Sequence, residues 1–316
     1  MTSPRILSAA EITDRMTVPK LLEPLRRAMI SVSQGTAVHP PRFAVPINPD
    51  GRMGVMYGAL GDPAVHGAKI LSLYPGAPAM GLSSHQGYVL LFDSADGRPL
   101  AIFDADGLTA MRTAAVTMLA TQALARPDPR TMTVCGAGEQ ADWHLRGCLA
   151  CFPDAHLRLW ARRAETARAL RARFPTNAAI EVVEDLAAAL KGADVIHTTT
   201  AAREPFLPGG LLEPGQHINL VGASLADSRE IDDAGVARLR MFTDSCESAS
   251  REAGEILGAK RAGVVEETYP LVEIGAVLAG TAPGRRTDED ITGYKSHGLI
   301  VQDLAAAAAI MQSIDI

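Results

Sequence analysis

The chain has 316 residues, 47% of them hydrophobic and 21% charged, enough for two domains or one large α/β unit of ordinary globular composition. A formal charge of −6 argues against general nucleic-acid binding, which needs a basic face. No apolar run approaches the length of a membrane span and residues 1–15 contain no apolar h-region, so no membrane partner and no signal peptide are expected, and a cytoplasmic location follows.

Residues 5–8 read as a short strand. Ile12, Met16, Val18, Leu21, Leu22, Leu25 and Met29 then recur near helical spacing, with Gly35 as a stop, which predicts one helix. After the break at Pro40-Pro41, runs at 42–47, 54–60, 66–74 and 87–93 read as strands of an antiparallel or mixed sheet. Turns such as Asn48-Pro49-Asp50-Gly51 and Asp96-Gly97 separate them. A helix over 108–125 is ended by Arg126-Pro127-Asp128-Pro129. From 130 onward the chain alternates. Strands are expected at 131–134, 157–160, 180–183, 195–199, 217–221 and 241–243, with helices at 141–151, 163–174 and 186–191. That alternation implies a parallel sheet with right-handed crossovers. Residues 298–316 read as a closing helix.

The stretch Thr133-Val134-Cys135-Gly136-Ala137-Gly138-Glu139-Gln140-Ala141 has the order of a strand, a tight turn and a helix N-terminus. Gly136 allows the turn, Gly138 lets backbone N–H groups approach a pyrophosphate, and Ala141 lets the helix lie close on the sheet. A glycine pair in a loop is also common as a plain turn, so the surrounding chain has to decide. A carboxylate at the tip of the second strand would bind the ribose 2′-OH of NAD. Here the strand ends in Ala161-Arg162-Arg163, and two guanidiniums suit a 2′-phosphate, which favours NADPH with NADH as the alternative. Ligands bind at the carboxyl ends of parallel strands, which places Thr199, Thr200, Val221, Gly222 and Ala223 among the cofactor candidates. Ser224 follows them; it is well placed, yet an unassisted hydroxyl is a poor base.

Other residues carry two readings each. Arg112-Thr113 opens the predicted helix at 108–125 and is either an anion site at a helix N-terminus or a surface arginine. Lys69, flanked by apolar residues, points either to a buried side, where it needs an anion partner, or to solvent. Arg42 is held in a stiff loop by the two prolines. Ser84 and His85 lie in a polar stretch before a strand; His85 is a general acid or a structural histidine. Cys148-x-x-Cys151 falls on a helix face with no second ligand pair, so reduced core thiols and no metal are expected.

In this order, the pieces resemble the ornithine cyclodeaminase/mu-crystallin family over nearly the whole chain. The resemblance rests on Pro41-Arg42, Lys69, Ser84-His85-Gln86-Gly87 with Leu90-Leu91-Phe92-Asp93, and Arg112-Thr113-Ala114-Ala115. It continues through Gly136 to Gln140, Arg203-Glu204-Pro205, Gly222-Ala223-Ser224 with Arg229-Glu230-Ile231-Asp232, and Lys295-Ser296-x-Gly298. It implies a homodimer and a Rossmann-type doubly wound NAD(P) domain, residues 119–295, inserted in an α+β substrate-binding and dimerisation domain, residues 1–118 plus 296–316. It further implies that Arg42, Lys69 and Arg112 hold a substrate carboxylate, with Ser84 beside it. Arg112, Thr113 and Ser296 join the cofactor set, and Lys69, Ser224 or His85 serves the proton chemistry. Cyclodeaminases look like Gly-x-Asp where this chain has Gly222-Ala223-Ser224, and serine cannot replace the aspartate's charge. The serine version looks more like ketimine reductases. The expected activity is NAD(P)H-dependent reduction of a cyclic imino acid, Δ1-pyrroline-2-carboxylate or Δ1-piperideine-2-carboxylate, to proline or pipecolate. The alternatives are an ornithine or lysine cyclodeaminase, an alanine-type amino-acid dehydrogenase, and a non-catalytic NADPH-dependent binding protein. Met53, Met56, Tyr57, His85 and His297 are candidates to line the substrate pocket.

Overall fold

The computed structural model describes residues 3–314. The closing helix expected to reach residue 316 therefore has its last two positions outside the described residues. The chain divides into two compact units, residues 1–116 with 298–316 (unit 1) and residues 117–297 (unit 2).

Unit 1 opens with β1 (Arg5–Leu7), α1 (Ala9–Arg15) and α2 (Val18–Ser33). The single helix expected here is two. Met16 and Thr17 are extended, and Pro19 sits in the first turn of α2. A proline ring fits best in a helix's first turn, where its missing N–H costs nothing, so the break falls just before Pro19, although α2 also carries Pro24 in its interior. Next come β2 (Phe43–Asn48), β3 (Gly51–Gly61), β4 (Ala64–Leu73), β5 (His85–Asp93) and β6 (Pro99–Asp104). They form an antiparallel meander, and β1 adds in parallel to β6, giving the order β1-β6-β5-β4-β3-β2. The sequence pattern predicts the Asp96-Gly97 turn but no strand after it; β6 is the other arm of that hairpin. Helix α3 (Ala105–Leu124) follows and starts three residues earlier than expected. Arg112 thus lies about two turns inside α3 rather than at its N-terminus, and the dipole argument for an anion site there fails.

Unit 2 is built on alternating elements: β7 (Thr131–Cys135), α4 (Glu139–Cys151), β8 (His156–Trp160), α5 (Ala164–Arg171), β9 (Ile180–Val182), α6 (Leu186–Leu190), β10 (Val195–Thr198) and β11 (His217–Leu220). Then come α7 (Asp233–Arg238), β12 (Arg240–Thr243), α8 (Cys246–Glu252), α9 (Gly254–Arg261), β13 (Leu271–Glu273), α10 (Ile274–Leu278) and β14 (Thr292–Lys295). All eight strands are parallel, in the order β13-β12-β14-β11-β10-β7-β8-β9. From β7 the chain builds outward to β8 and β9, then crosses to the other side for β10 and β11. That reversal is the topological switch point of a doubly wound, Rossmann-type sheet.

The chain ends in α11 (Ile300–Ile314), which packs on α2 and on β3, β4 and β5 of unit 1. It is apolar almost all round and buried, as a helix without a polar face must be. No helix among the described residues is long and apolar enough to cross a membrane.

Candidate functional site

The side chains with chemistry to offer form two groups, one in each unit. In unit 1, strand β4 alternates buried and less buried residues, and Lys69 falls on the buried side. Its side chain is 2% exposed. Nζ donates to Thr109 Oγ1 at 2.5 Å and to Asp303 Oδ1 at 3.2 Å. Arg112, almost as buried, donates from Nε to the same Asp303 oxygen at 2.9 Å and from Nη1 to Gln302 Oε1 at 2.7 Å. Burial pushes the Lys69 pKa down to about 8; Asp303 opposes this, while the charges of Arg112 and Arg42 add to it. Lys69 and Arg112 thus share one carboxylate, and the charge of Arg42 is close enough to act on Lys69.

Ser84 and His85 stand beside this group. Ser84 Oγ lies 2.8 Å from His85 Nδ1, and the His85 backbone N–H donates to Ser83 Oγ at 3.1 Å. His85 is exposed, yet enough protein surrounds it that desolvation lowers its pKa. Lys69 and Arg42 push the same way and Asp106 opposes them. A histidine among cations stays neutral and resists protonation, so it suits hydrogen bonding through its uncharged ring.

The hydrophobic residues offered as pocket lining divide. Met53 lines a groove of about 600 Å³ with Ile6, Ile47, Ile70, Tyr88 and Ile102. Ile70 follows Lys69 in β4 and points to the opposite face of the sheet, so this groove is not where the cations gather. Met56 is the cross-strand partner of Lys69, and Tyr57 is exposed. His297 belongs to unit 2, where its backbone N–H donates to Asp244 Oδ2 at 2.8 Å.

In unit 2 the loops at the switch point converge. Gly136 follows β7 with φ 137°, and a Cβ there would lie 2.5 Å from Thr199 Oγ1 and 2.8 Å from Thr199 O, so only glycine fits. Thr199 N–H and Oγ1 both donate to Cys135 O, at 2.8 and 3.0 Å. At Gly138, the N-cap of α4, a Cβ would meet no protein atom within 4 Å, and no side chain caps the helix. Ala137, Glu139 and Gln140 complete the turn, and Ala141 is fully buried at the helix–sheet contact. A bare helix start with an open approach and uncapped N–H groups fits a dinucleotide's pyrophosphate. After β8, Ala161 is buried while Arg162 and Arg163 are exposed, and Arg163 occupies the N-cap position of α5 without a side-chain capping bond.

Glu230, which residue types alone did not mark as a site residue, organises the next loops. Oε2 accepts from Thr198 Oγ1 at 2.7 Å, Gly222 N–H at 2.8 Å and Ala223 N–H at 3.3 Å. Oε1 accepts from Thr200 N–H and Oγ1, both at 2.7 Å. Burial raises its pKa, against Lys295 and these donors. Gly222 is packed so tightly that a Cβ would stand 2.0 Å from Thr200 O. Lys295 donates to Ala223 O and to Glu255 Oε1, and Ser296 N–H donates to Leu220 O at 3.0 Å. Val221, Ala223 and Thr199 are buried, with Ser224 half-buried at the end of the loop. Asp303 was missed too, although it is the one charge in the otherwise uncharged run of α11; that isolation was a usable signal.

With this geometry in place, the family is decided by a match of its model, ornithine cyclodeaminase/mu-crystallin, to residues 2–315. The chain belongs to the ornithine cyclodeaminase/mu-crystallin family. It is 36% identical over 318 residues to the ketimine reductase mu-crystallin of Mus musculus, covering 98% of this chain and 97% of that protein. Among solved structures, it is similar to the Δ1-pyrroline-2-carboxylate reductase of Thermococcus litoralis in complex with NADH and L-proline. The TM-score is 0.92 at 29% identity, over 98% of this chain and 97% of the other. An archaeal alanine dehydrogenase dimer with bound NAD matches with TM-score 0.89 at 28% identity, over 98% of this chain and 95% of that one.

Proposed function

We propose that this family member is an NAD(P)H-dependent reductase of cyclic ketimines, converting Δ1-pyrroline-2-carboxylate or Δ1-piperideine-2-carboxylate to L-proline or L-pipecolate. The observation that carries the reading is the buried group of Lys69 and Arg112 with Arg42 nearby, a cationic set suited to one small carboxylate. The names of the mouse and Thermococcus relatives point to the same reaction class.

Arg42, Lys69 and Arg112 hold the substrate carboxylate and so fix the orientation of the imine ring. Ser84, hydrogen-bonded to His85, lies beside them. Lys69, with a pKa of about 8, carries a proton that it can release near neutral pH, and neutral His85 or Ser224 can hold a water. The glycine loop 136–138 with Glu139 and Gln140 holds the pyrophosphate, and Thr199, Thr200, Val221, Gly222, Ala223 and Ser296 shape the rest of the cofactor site. Arg112 and Thr113 lie within α3 in unit 1, and a share in cofactor binding is proposed for them beside the carboxylate role. Arg162 and Arg163 favour the 2′-phosphate of NADPH over NADH. When bound, the nicotinamide supplies the hydride that reduces C2 of the imine.

The chain acts as a homodimer in the cytoplasm. Unit 1 is the substrate-binding and dimerisation domain and unit 2 the cofactor domain. The exposed apolar face of the unit 1 sheet, with Phe43, Val45, Ile47 and Tyr88, supports a self-association surface. Ser224, in place of an acid, weighs against ammonia loss from ornithine. The test mixes protein and NADPH with each ring size and follows nicotinamide absorbance. No consumption above background with either ring refutes the reading, and ammonia release from ornithine with catalytic NAD replaces it with a cyclodeaminase.

A further inference from the structure

We propose that Asp303 is a positioning residue of this site: one carboxylate oxygen holds Lys69 and Arg112 together and sets the direction of their remaining N–H donors. The proposal rests on the ketimine reductase reading and adds to it a residue from the last helix.

The geometry is specific. Asp303 is 0% exposed, in the first turn of α11, a helix made otherwise of alanines, large aliphatics and a few uncharged polar residues. Its Oδ1 accepts from Lys69 Nζ at 3.2 Å and from Arg112 Nε at 2.9 Å. Its Oδ2 is buried and has no hydrogen-bond partner among the described residues. A carboxylate buried with one oxygen unmatched is a poor stabilising device, and an apolar side chain of similar volume would serve the packing better. Its arrangement is explained by what it does to the two cations. With Nε committed to Asp303 and Nη1 to Gln302, Arg112 keeps Nη2 for a carboxylate. Lys69, anchored on Asp303 and on Thr109, whose hydroxyl in turn donates to Ala105 O, keeps one ammonium proton for the ligand.

Charge gives the second half of the argument. The substrate carboxylate is an anion, but its imine nitrogen has to be protonated before hydride attack, so the reacting species carries both signs. Arg42, Lys69 and Arg112 alone would attract the carboxylate and repel the iminium. Asp303 lowers that repulsion while leaving Arg112 Nη2 and one Lys69 ammonium proton to the carboxylate. The groups that face Lys69 are Asp303 from α11, Arg112 from α3, Arg42 from the loop before β2 and His85 from β5, with Asp106 acting on His85. Asp303 is the anion whose charge raises the Lys69 pKa, so removing that charge moves Lys69 titration to lower pH.

The experiment compares wild type, Asp303→Asn and Thr109→Val in kcat and KM for Δ1-pyrroline-2-carboxylate across pH 6 to 9.5, with L-proline inhibition measured alongside. Circular dichroism and a cooperative thermal transition report whether each variant is folded. Wild-type turnover establishes the reaction class first, and its absence sinks that reading rather than this one. In Asp303→Asn the alkaline limb of kcat/KM moves down by about one pH unit or more, and kcat falls about tenfold or more at pH 8.5. Thr109→Val moves the limb in the same direction and carries the test if Asp303→Asn does not fold. A uniform loss of activity with the limb unmoved in the folded variants overturns the proposal and leaves Asp303 a packing residue.

Discussion

Acid should destabilise unit 2 through three buried histidines, and the size of the effect follows from their surroundings. His144, His197 and His217 are all 0% exposed. The rings of His144 and His197 stand 5.5 Å apart. His144 Nδ1 donates to Gln140 O at 2.7 Å, while its Nε2 is buried without a hydrogen-bond partner among the described residues. His197 Nδ1 accepts from Asn219 Nδ2 at 3.2 Å, and its Nε2 lies 3.5 Å from Cys148 Sγ. Protonating either ring adds a charge, and on His144 a donor with no acceptor, to the packed interior. Burial accordingly lowers the pKa of His144 to about 4 and of His217 to about 3, and that of His197 well below 6.5. The unfolded chain binds these protons near 6.5 and the folded chain does not. Stability from neutral burial is therefore present above pH 6.5 and lost as pH falls below it, down to the folded values. At pH 5 His144 and His217 each cost about 2 kcal/mol, so the two together remove about 4 kcal/mol, a large part of a domain's stability, and His197 adds in the same direction. Urea titrations of the protein at pH 7.5, 6.5, 5.5 and 5.0 measure it. His144→Leu should lose about 2 kcal/mol less than wild type between pH 7.5 and 5. An unfolding free energy flat across that range, or a His144→Leu slope equal to wild type, refutes the assignment of acid sensitivity to these rings.

Replacing Arg162 and Arg163 together with alanine should lower kcat/KM for NADPH by about tenfold or more, as expected for losing charge-assisted phosphate contacts, and leave NADH within about twofold. Equal losses with both cofactors would count against a 2′-phosphate site. Glu230→Gln keeps the shape but sets an NH₂ against backbone and hydroxyl donors that now meet a carboxylate oxygen. Stability in urea should fall by about 1–3 kcal/mol. The KM for NADPH should rise by about tenfold as the Thr200 and Gly222 loops loosen; an unchanged KM would confine Glu230 to stability.

The unit 2 elements from 131 to 221 were legible because two local signals coincide there: short aliphatic runs at strand spacing, and glycines where the chain must turn. Element ends shifted by a few residues, as fraying ends do, and only at α3 did that change an inference. Strand β14 was not legible. Its residues Thr292, Gly293, Tyr294 and Lys295 lack an aliphatic pattern, yet it lies between β11 and β12, fully buried. Its polar side chains are accepted there because Tyr294 bonds Asp244 and Lys295 bonds Glu255, partners that no local window contains.

By itself, the sequence determined the class of cofactor and suggested the stretches proposed to meet it. Gly136 and Gly138 answer to backbone conformation and close approach, and Arg162-Arg163 to a strand tip, all set within a few residues. Whether Lys69 faces the interior was beyond it, because both faces of β4 mix apolar and polar residues and neither reads as outside. The tertiary structure decided that, by laying α11 across the sheet and bringing Asp303 to a lysine 234 positions earlier in the chain. A buried ammonium is tolerable only beside such a partner, and pairing at that separation leaves no periodic trace in the sequence.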